Sequence, residues 1–143
     1  MLLYILTLVF ISLAAICNSV MDKISFHYYK FKFKDRLNQQ WWNPLISWKN
    51  KYENNDPKLG FKYIKFLTFK FKFPIFLTDA WHFFQSAMIF LYFLAIIFSN
   101  NYSLFNLFNI EINFLFLIIE KIIVFSTVYI LTFNIFFNKI LEK

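Results

Sequence analysis

Residues 2–21 read LLYILTLVFISLAAICNSVM, a run of twenty residues without one charged side chain. About 20 apolar residues in a helix are enough to cross roughly 30 Å of hydrocarbon. The charged residues Asp22 and Lys23 end the run. The sequence therefore predicts that residues 2–21 form a first membrane-spanning helix.

Two later apolar runs predict two further spans, at residues 75–99 and 114–138. The last run is interrupted by Glu120 and Lys121, which we expect near the outer boundary of the membrane, where a charge costs less than at the centre. The predicted fold class is an all-α integral membrane protein with about three transmembrane helices, forming a single membrane domain over residues 1–143.

The composition agrees with a membrane location. Hydrophobic residues make up 59% of the 143 residues and charged residues 16%, against roughly 45–50% and about 25% in soluble domains. A soluble domain of this size has too much surface for its volume to hide that excess. Lipid must therefore be the solvent for part of the chain.

The connection between the first two spans, residues 22–73, is basic and aromatic. It contains twelve of the fifteen Lys and Arg residues of the chain and only four acidic residues. Trp, Tyr, Lys and Arg settle at the boundary between membrane and water. We expect the following residues at this lipid interface: Lys30, Lys32, Lys34, Trp41, Trp42, Trp48, Lys70 and Lys72.

The chain as a whole is also basic, with a net charge of +7. Such a charge would be compatible with nucleic acid as a partner. Its basic residues flank apolar spans, however, so the head-groups of a membrane are the better counter-charge. Membrane lipid is therefore the predicted partner, a larger membrane complex or a second copy of the chain is a further one, and nucleic acid is not.

The distribution of Lys and Arg also predicts the orientation in the inner (cytoplasmic) membrane. Cytoplasmic loops near spans carry an excess of these residues, which places residues 22–73 inside. The connection 100–113 contains neither Lys nor Arg and would lie outside, whereas Lys139 and Lys143 return to the inside. The N-terminus is then outside and the C-terminus inside.

Residues 30–34 and 69–73 alternate strictly between Lys and Phe. A period of two is the signal of a β-strand, and the two stretches would pair as a small ribbon. A ribbon of two strands is marginal on its own in water. The alternative is that both stretches extend the adjoining helices, with their lysines reaching towards head-groups.

The single cysteine, Cys17, follows Leu13-Ala14-Ala15-Ile16, a loose match to the box that precedes a lipidated cysteine in bacterial lipoproteins. No Lys or Arg stands before the apolar run, and Ile16 occupies a position that requires a small residue. These departures favour a cysteine packed in a spanning helix, with lipidation left open.

A polar cluster, Thr78-Asp79-Ala80-Trp81-His82, stands at the start of the second span. On a helix, Asp79 and His82 are three residues apart and share one flank. Ionisable groups at such a place are candidates for function. They would act as a catalytic acid–base pair on a lipid head-group or relay a proton. The alternative is that they cap the helix and bond to the loop.

A metal site at this cluster would need more than two ligands. The only other histidine is His27, so a metal becomes plausible only if His27 lies next to His82. The sequence contains no Gly-rich phosphate loop and no zinc signature, and no cofactor is predicted.

Four motifs follow one another along the loop and the second span: Trp42-Asn43-Pro44, Ser47-Trp48-Lys49-Asn50-Lys51-Tyr52, Asp56-Pro57 and Thr78-Asp79-Ala80-Trp81-His82. With these motifs, roughly residues 17–86 resemble a group of uncharacterised small membrane proteins of Bacteroidetes bacteria and their phages. The resemblance implies a prokaryotic or phage origin and a location in the inner membrane. It implies no activity, and the last span contains no matching motif.

Three functions remain open from the sequence. The leading hypothesis is a small non-enzymatic inner-membrane protein that acts through helix packing and through contacts with lipid or a membrane complex. The second is a membrane enzyme that acts on a lipid head-group, with Asp79 and His82 as its acid–base pair. The third is a phage-type factor that permeabilises the membrane or takes over the host.

Overall fold

The computed structural model describes residues 1–99, 103, 105 and 113–143 of the chain. This part is mostly helical, and three of its helices are long and apolar enough to cross a membrane, as the sequence predicts. They are α1 (Leu2–Phe26), α4 (Ala80–Phe98) and α5 (Phe114–Ile135), which continues as a π-helix over Phe136–Ile140. The short helices α2 (Gln39–Trp42) and α3 (Pro44–Ser47) lie in the loop.

Helix α1 is the centre of the bundle, because α4 and α5 both pack against it. In α1, 44% of the most apolar stretch is buried, against 6% in α4 and 11% in α5 with its extension. Ala14 and Ala15 of α1 are completely buried, and small residues such as these let helix backbones approach closely. The outer faces of α4 and α5 stay apolar and exposed, which is typical of helices that contact lipid.

The predicted boundaries of the spans differ from the observed ones at the loop end of the bundle, where α1 ends and α4 begins. Helix α1 continues for five residues beyond Met21 and takes Lys23 into a buried position. Helix α4 begins only at Ala80, since residues Ile75–Leu77 form a separate 3-10 turn. Cys17 lies buried within α1, in the packed position that the sequence favours.

The loop is a chain of short helical turns with a side-chain cap at several of their starts. Asn38 accepts a hydrogen bond from the backbone of Gln40 at the start of α2, and Asn43 accepts one from Leu45 at the start of α3. Such caps satisfy backbone N–H groups that have no partner within the helix. The 3-10 turns of the loop are Tyr28–Lys30, Trp48–Lys51, Glu53–Asn55 and Pro57–Leu59.

A two-stranded antiparallel sheet makes the all-α expectation incomplete. Strand β1 (Tyr63–Phe66) pairs with β2 (Phe69–Lys72), so the strand interpretation of residues 69–73 is confirmed for most of its length. The pairing of this strand with residues 30–34 is wrong, because β1 takes that place. Only two residues separate β1 from β2, and a connection that short closes a hairpin at far lower entropic cost than a pairing across the loop.

A cluster of buried residues at the loop end brings together α1, α4, the loop and the end of the chain. Val20 and Ile24 of α1 contact Ala80 of α4, together with Phe31 of the loop and Leu141 of the C-terminal tail (residues 141–143). Aromatic side chains of the loop pack against this cluster. The loop end is therefore where helices, loop and tail are fixed relative to one another.

Candidate functional site at the loop end

Asp79 is the N-cap of α4. Its Oδ1 accepts a hydrogen bond of 2.9 Å from the backbone N–H of His82, and its Oδ2 accepts one of 3.1 Å from the hydroxyl of Thr78. The Nδ1 atom of His82 lies 2.7 Å from the same Oδ2. Asp79 is buried, whereas 31% of the His82 side chain is exposed. The carboxylate therefore orients the imidazole and caps the helix at the same time.

Asn50 ties the loop to the start of α4. Its Nδ2 donates hydrogen bonds of 2.7 Å to the backbone carbonyl of Thr78 and of 2.7 Å to that of Gln40. Its Oδ1 accepts one of 2.6 Å from the side chain of Gln40. The sequence analysis did not single out Asn50, although it lies within one of the four spaced motifs. A half-buried amide that makes three bonds between separate segments fixes the loop in one position.

The chemistry available to the pair follows from these bonds. With Nδ1–H donated to Asp79, the other ring nitrogen of His82 is the one that accepts a proton. An enzyme would also need a cleft that both side chains line. Neither of two large cavities bordered by described residues includes Asp79 or His82. The geometry supports the capping interpretation, in which the polar cluster holds α4 against the loop.

The two histidines have different neighbours. The ring of His27 packs edge-on against Phe137, 5.5 Å between centroids, and that of His82 packs edge-on against Trp81 at 5.0 Å. In the part of the chain that the structure describes, no three His, Cys, Asp or Glu side chains group together as ligands for a metal ion. A metal site would have needed His27 next to His82. Among the described residues, the rings of these two histidines do not contact each other.

The C-terminal tail closes the loop end through Glu142. Its carboxylate lies 3.0 Å from Nζ of Lys23 and 3.2 Å from Nζ of Lys30. The Lys23 ammonium also lies 3.7 Å from the centre of the Phe137 ring. Hydrogen bonds from both lysines hold the pKa of Glu142 below its ordinary value. A charge that is buried needs such partners, because isolated it would be very costly.

Backbone bonds hold the same tail in place. The N–H of Lys32 donates to the carbonyl of Leu141 at 2.9 Å, and the N–H of Lys143 donates to the carbonyl of Lys30 at 3.1 Å. The alternating stretch 30–34 therefore pairs with the C-terminus instead of with residues 69–73. This arrangement was not predicted, since Glu142 belongs to no motif of the sequence. The lone Lys23 in the last turn of an apolar helix was the one signal for it.

The predicted interface residues fall into two groups. Trp41 and Trp42 are half-buried, and their rings lie 5.8 Å from Phe83 and Phe84 of α4, respectively. They therefore anchor the loop to the helix. The other group reaches the surface more freely. It consists of Lys30, Lys32, Trp48, Lys70 and Lys72, which are exposed, and Lys34, which is partly exposed.

At the opposite end of the bundle, Tyr4 of α1 donates a hydrogen bond of 3.2 Å to the buried carboxylate of Glu120 on α5. Lys121 donates one of 3.2 Å to Ser99, just beyond the end of α4. The two charged residues that interrupt the third apolar run thus link α5 to both other helices. Both contacts lie near the ends of α1 and α4 that are opposite the loop.

An apolar cavity of about 580 Å³ lies between α4 and α5. It is bordered by Ile11 of α1, and Tyr92 and Tyr129 also line it, with their rings 6.4 Å apart.

Comparison with known family models, curated proteins and solved structures gave no match.

Proposed function

We propose that this chain is a small non-enzymatic protein of the inner membrane, with its N-terminus outside and its C-terminus inside. In this proposal α1, α4 and α5 span the bilayer, and residues 22–73 lie on the inner leaflet. The protein acts through the packing of its helices and through contacts between the loop and anionic lipid. A larger membrane complex is the alternative partner for the same basic surface.

The observation that carries the proposal is the unbalanced charge of the loop. Of its twelve basic residues, only Lys23 and Lys30 form ion pairs within the described part of the chain. The other ten have no carboxylate partner among the described residues, so the loop presents an excess of positive charge. An anionic leaflet attracts such a surface, by about 1 kcal/mol for each Lys or Arg near it.

The contact between tail and loop supports the proposed orientation. The tail bonds to residues 30–32, and Lys143 lies 3.1 Å from Asp35. Loop and C-terminus therefore lie on the same side, which three spans require. Since this side collects nearly all Lys and Arg residues, the positive-inside rule makes it the cytoplasmic one.

The orientation is tested with one cysteine. The variant Cys17→Ser removes the only thiol, and Asn55→Cys adds one at an exposed loop position. A maleimide that does not cross membranes should label this thiol in inside-out vesicles and leave it unlabelled in intact cells. Labelling in intact cells would overturn the proposed orientation.

The lipid contact is tested by charge removal. A fourfold variant carries Gln at Lys32, Lys34, Lys70 and Lys72, and its matched control carries Arg there. Lys30 is kept because it pairs with Glu142. Each protein is isolated in bilayer nanodiscs from membranes that contain phosphatidylglycerol and phosphatidylethanolamine. We expect phosphatidylglycerol to be enriched around the wild type and the Arg variant and not around the Gln variant. Equal amounts of phosphatidylglycerol around all three proteins would contradict the lipid contact. A second protein that copurifies with the wild type and the Arg variant but not with the Gln variant would indicate a membrane complex as the partner.

A further inference from the structure

The hairpin of β1 and β2 has two chemically different faces. In its register Ile64 pairs with Phe71 and Phe66 pairs with Phe69. Because side chains alternate between the faces of a strand, these four residues share one face, here named the apolar face. Their exposed fractions are 42%, 55%, 67% and 64%, respectively. The rest of the described chain leaves this face largely uncovered.

The opposite face, here named the basic face, carries Tyr63, Lys65, Lys70 and Lys72. The ammonium of Lys70 lies 4.3 Å from the centre of the Tyr63 ring, and that of Lys72 lies 4.9 Å from the ring of Phe61. No carboxylate pairs with these three lysines in the described residues. The hairpin therefore separates apolar from positive side chains as an interfacial amphipathic helix does.

The hairpin is fixed to the loop at its base and joined to α4 by a short connection. At its base, Lys62 donates a backbone hydrogen bond to Lys51 at 2.9 Å, and Phe73 donates one to Lys62 at 2.8 Å. Strand β2 ends eight residues before α4 begins, and eight residues reach at most about 28 Å. A leaflet crossed by α4 is thus within reach of the whole hairpin.

We infer that residues 61–73 form an interfacial hairpin that inserts its apolar face into the anionic leaflet crossed by α4. Hydrocarbon covers Ile64, Phe66, Phe69 and Phe71, and the lysines of the basic face lie at the level of the lipid phosphates. The turn residue Leu67, which is 86% exposed, enters the same apolar layer. This inference rests on the proposed membrane location and adds which residues of the loop enter the lipid.

Two neighbouring positions on opposite faces provide the test. In the Cys17→Ser background, Ile64→Cys places a fluorescent label on the apolar face and Tyr63→Cys places it on the basic face, and neither change alters the charge. Asn55→Cys is the reference elsewhere in the loop. The labelled proteins are reconstituted into vesicles of phosphatidylcholine and phosphatidylglycerol, with or without a nitroxide on the acyl chain.

We expect the label at position 64 to emit at shorter wavelength and to lose more fluorescence to the acyl-chain nitroxide than the labels at positions 63 and 55. Equal quenching at 63 and 64 would overturn the inference, as would a blue-shifted emission at 64 that the acyl-chain nitroxide does not quench, because protein and not lipid would then cover that position. If the label at 64 stays in water while the fourfold Gln variant still loses phosphatidylglycerol, only the hairpin inference fails. If the fourfold Gln variant keeps as much phosphatidylglycerol as wild type, the proposed lipid contact itself is refuted.

Discussion

The ammonium of Lys23, which is completely buried in the last turns of α1, lies 3.0 Å from the carboxylate of Glu142, next to the last residue of the chain. The two residues are 119 positions apart. Their pairing brings the end of the chain back to the end of its first helix. It also explains how α1 extends past the charge at which the apolar run of the sequence stops.

The first prediction concerns this pair. Glu142→Gln removes the negative charge and leaves the Lys23 ammonium buried beside an uncharged amide, which is the costly way to break an ion pair. We expect a lower unfolding temperature of the detergent-solubilised protein. Lys143→Gln, which removes an exposed ion pair with Asp35, is the control and should change it little.

A second substitution makes this test specific. Lys23→Met in the Glu142→Gln background removes the buried charge together with its partner. Replacing a buried ion pair by apolar groups is often neutral or stabilising, so the double variant should regain most of the lost stability. A double variant that is no more stable than Glu142→Gln alone would show that the pair does not fix the tail.

The second prediction is a pH dependence with a defined sign. Hydrogen bonds from Lys23 and Lys30 hold the pKa of Glu142 below its ordinary value of 4.5. A lowered pKa stabilises the folded state above that ordinary value, and the contribution is lost as the pH falls through the folded pKa. The difference in unfolding temperature between wild type and Glu142→Gln should therefore shrink when the pH is lowered below 4.5. A difference that stays constant from pH 7 downwards would contradict it.

The third prediction separates the capping role of Asp79 from a need for its negative charge. Asp79→Ala removes the cap of α4 and should cost about 1 kcal/mol in the free energy of unfolding. Asp79→Asn keeps an oxygen that accepts from the N–H of His82, and should retain most of that stability, because Asn is an equally good cap. Equal losses in the two variants would show that the charge, and not the cap, is what the position needs.

The fourth prediction concerns the bridge from the loop to α4. Asn50→Ala removes the donors to the carbonyls of Thr78 and Gln40, and unsatisfied buried groups cost about 1–3 kcal/mol. We expect a lower unfolding temperature and faster cleavage by trypsin at the loop lysines. Glu53→Ala, at an exposed position of the same loop, is the control. Protection of the loop equal to that of wild type would contradict the role of Asn50.

Much of the fold follows from local sequence patterns. The three spans are read directly from the length of the apolar runs, since length and hydropathy are what a bilayer selects. The alternation of residues 69–73 left a strand and a helical extension open, and the structure shows the strand β2. Capping by Asp79 was one of the open interpretations, because Asp before an apolar helix is a frequent N-cap.

The remaining features depend on contacts that no local pattern contains. The alternation at residues 30–34 equals that at 69–73, yet the first stretch pairs with the tail and the second with β1. Lys23 looked like the end of a span, because its partner stands at the other end of the chain. Trp41 and Trp42 have the composition of interfacial residues, and only the structure shows that their rings pack on α4.

The last prediction concerns the hydrogen bond of 3.2 Å between the Tyr4 hydroxyl and the Glu120 carboxylate at the far end of the bundle. Tyr4→Phe removes this bond and keeps the ring, whose centroid lies 6.0 Å from that of Phe125. Hydrogen bonds between spanning helices contribute about 0.6 kcal/mol on average and up to about 1.7. Ser12→Ala is the control, since that hydroxyl bonds to a carbonyl of its own helix. Measured by unfolding in mixed micelles, Tyr4→Phe should cost more than Ser12→Ala in wild type and little in a Glu120→Met background, which has no oxygen to accept the bond. If the cost is the same in both backgrounds, the two side chains are not coupled.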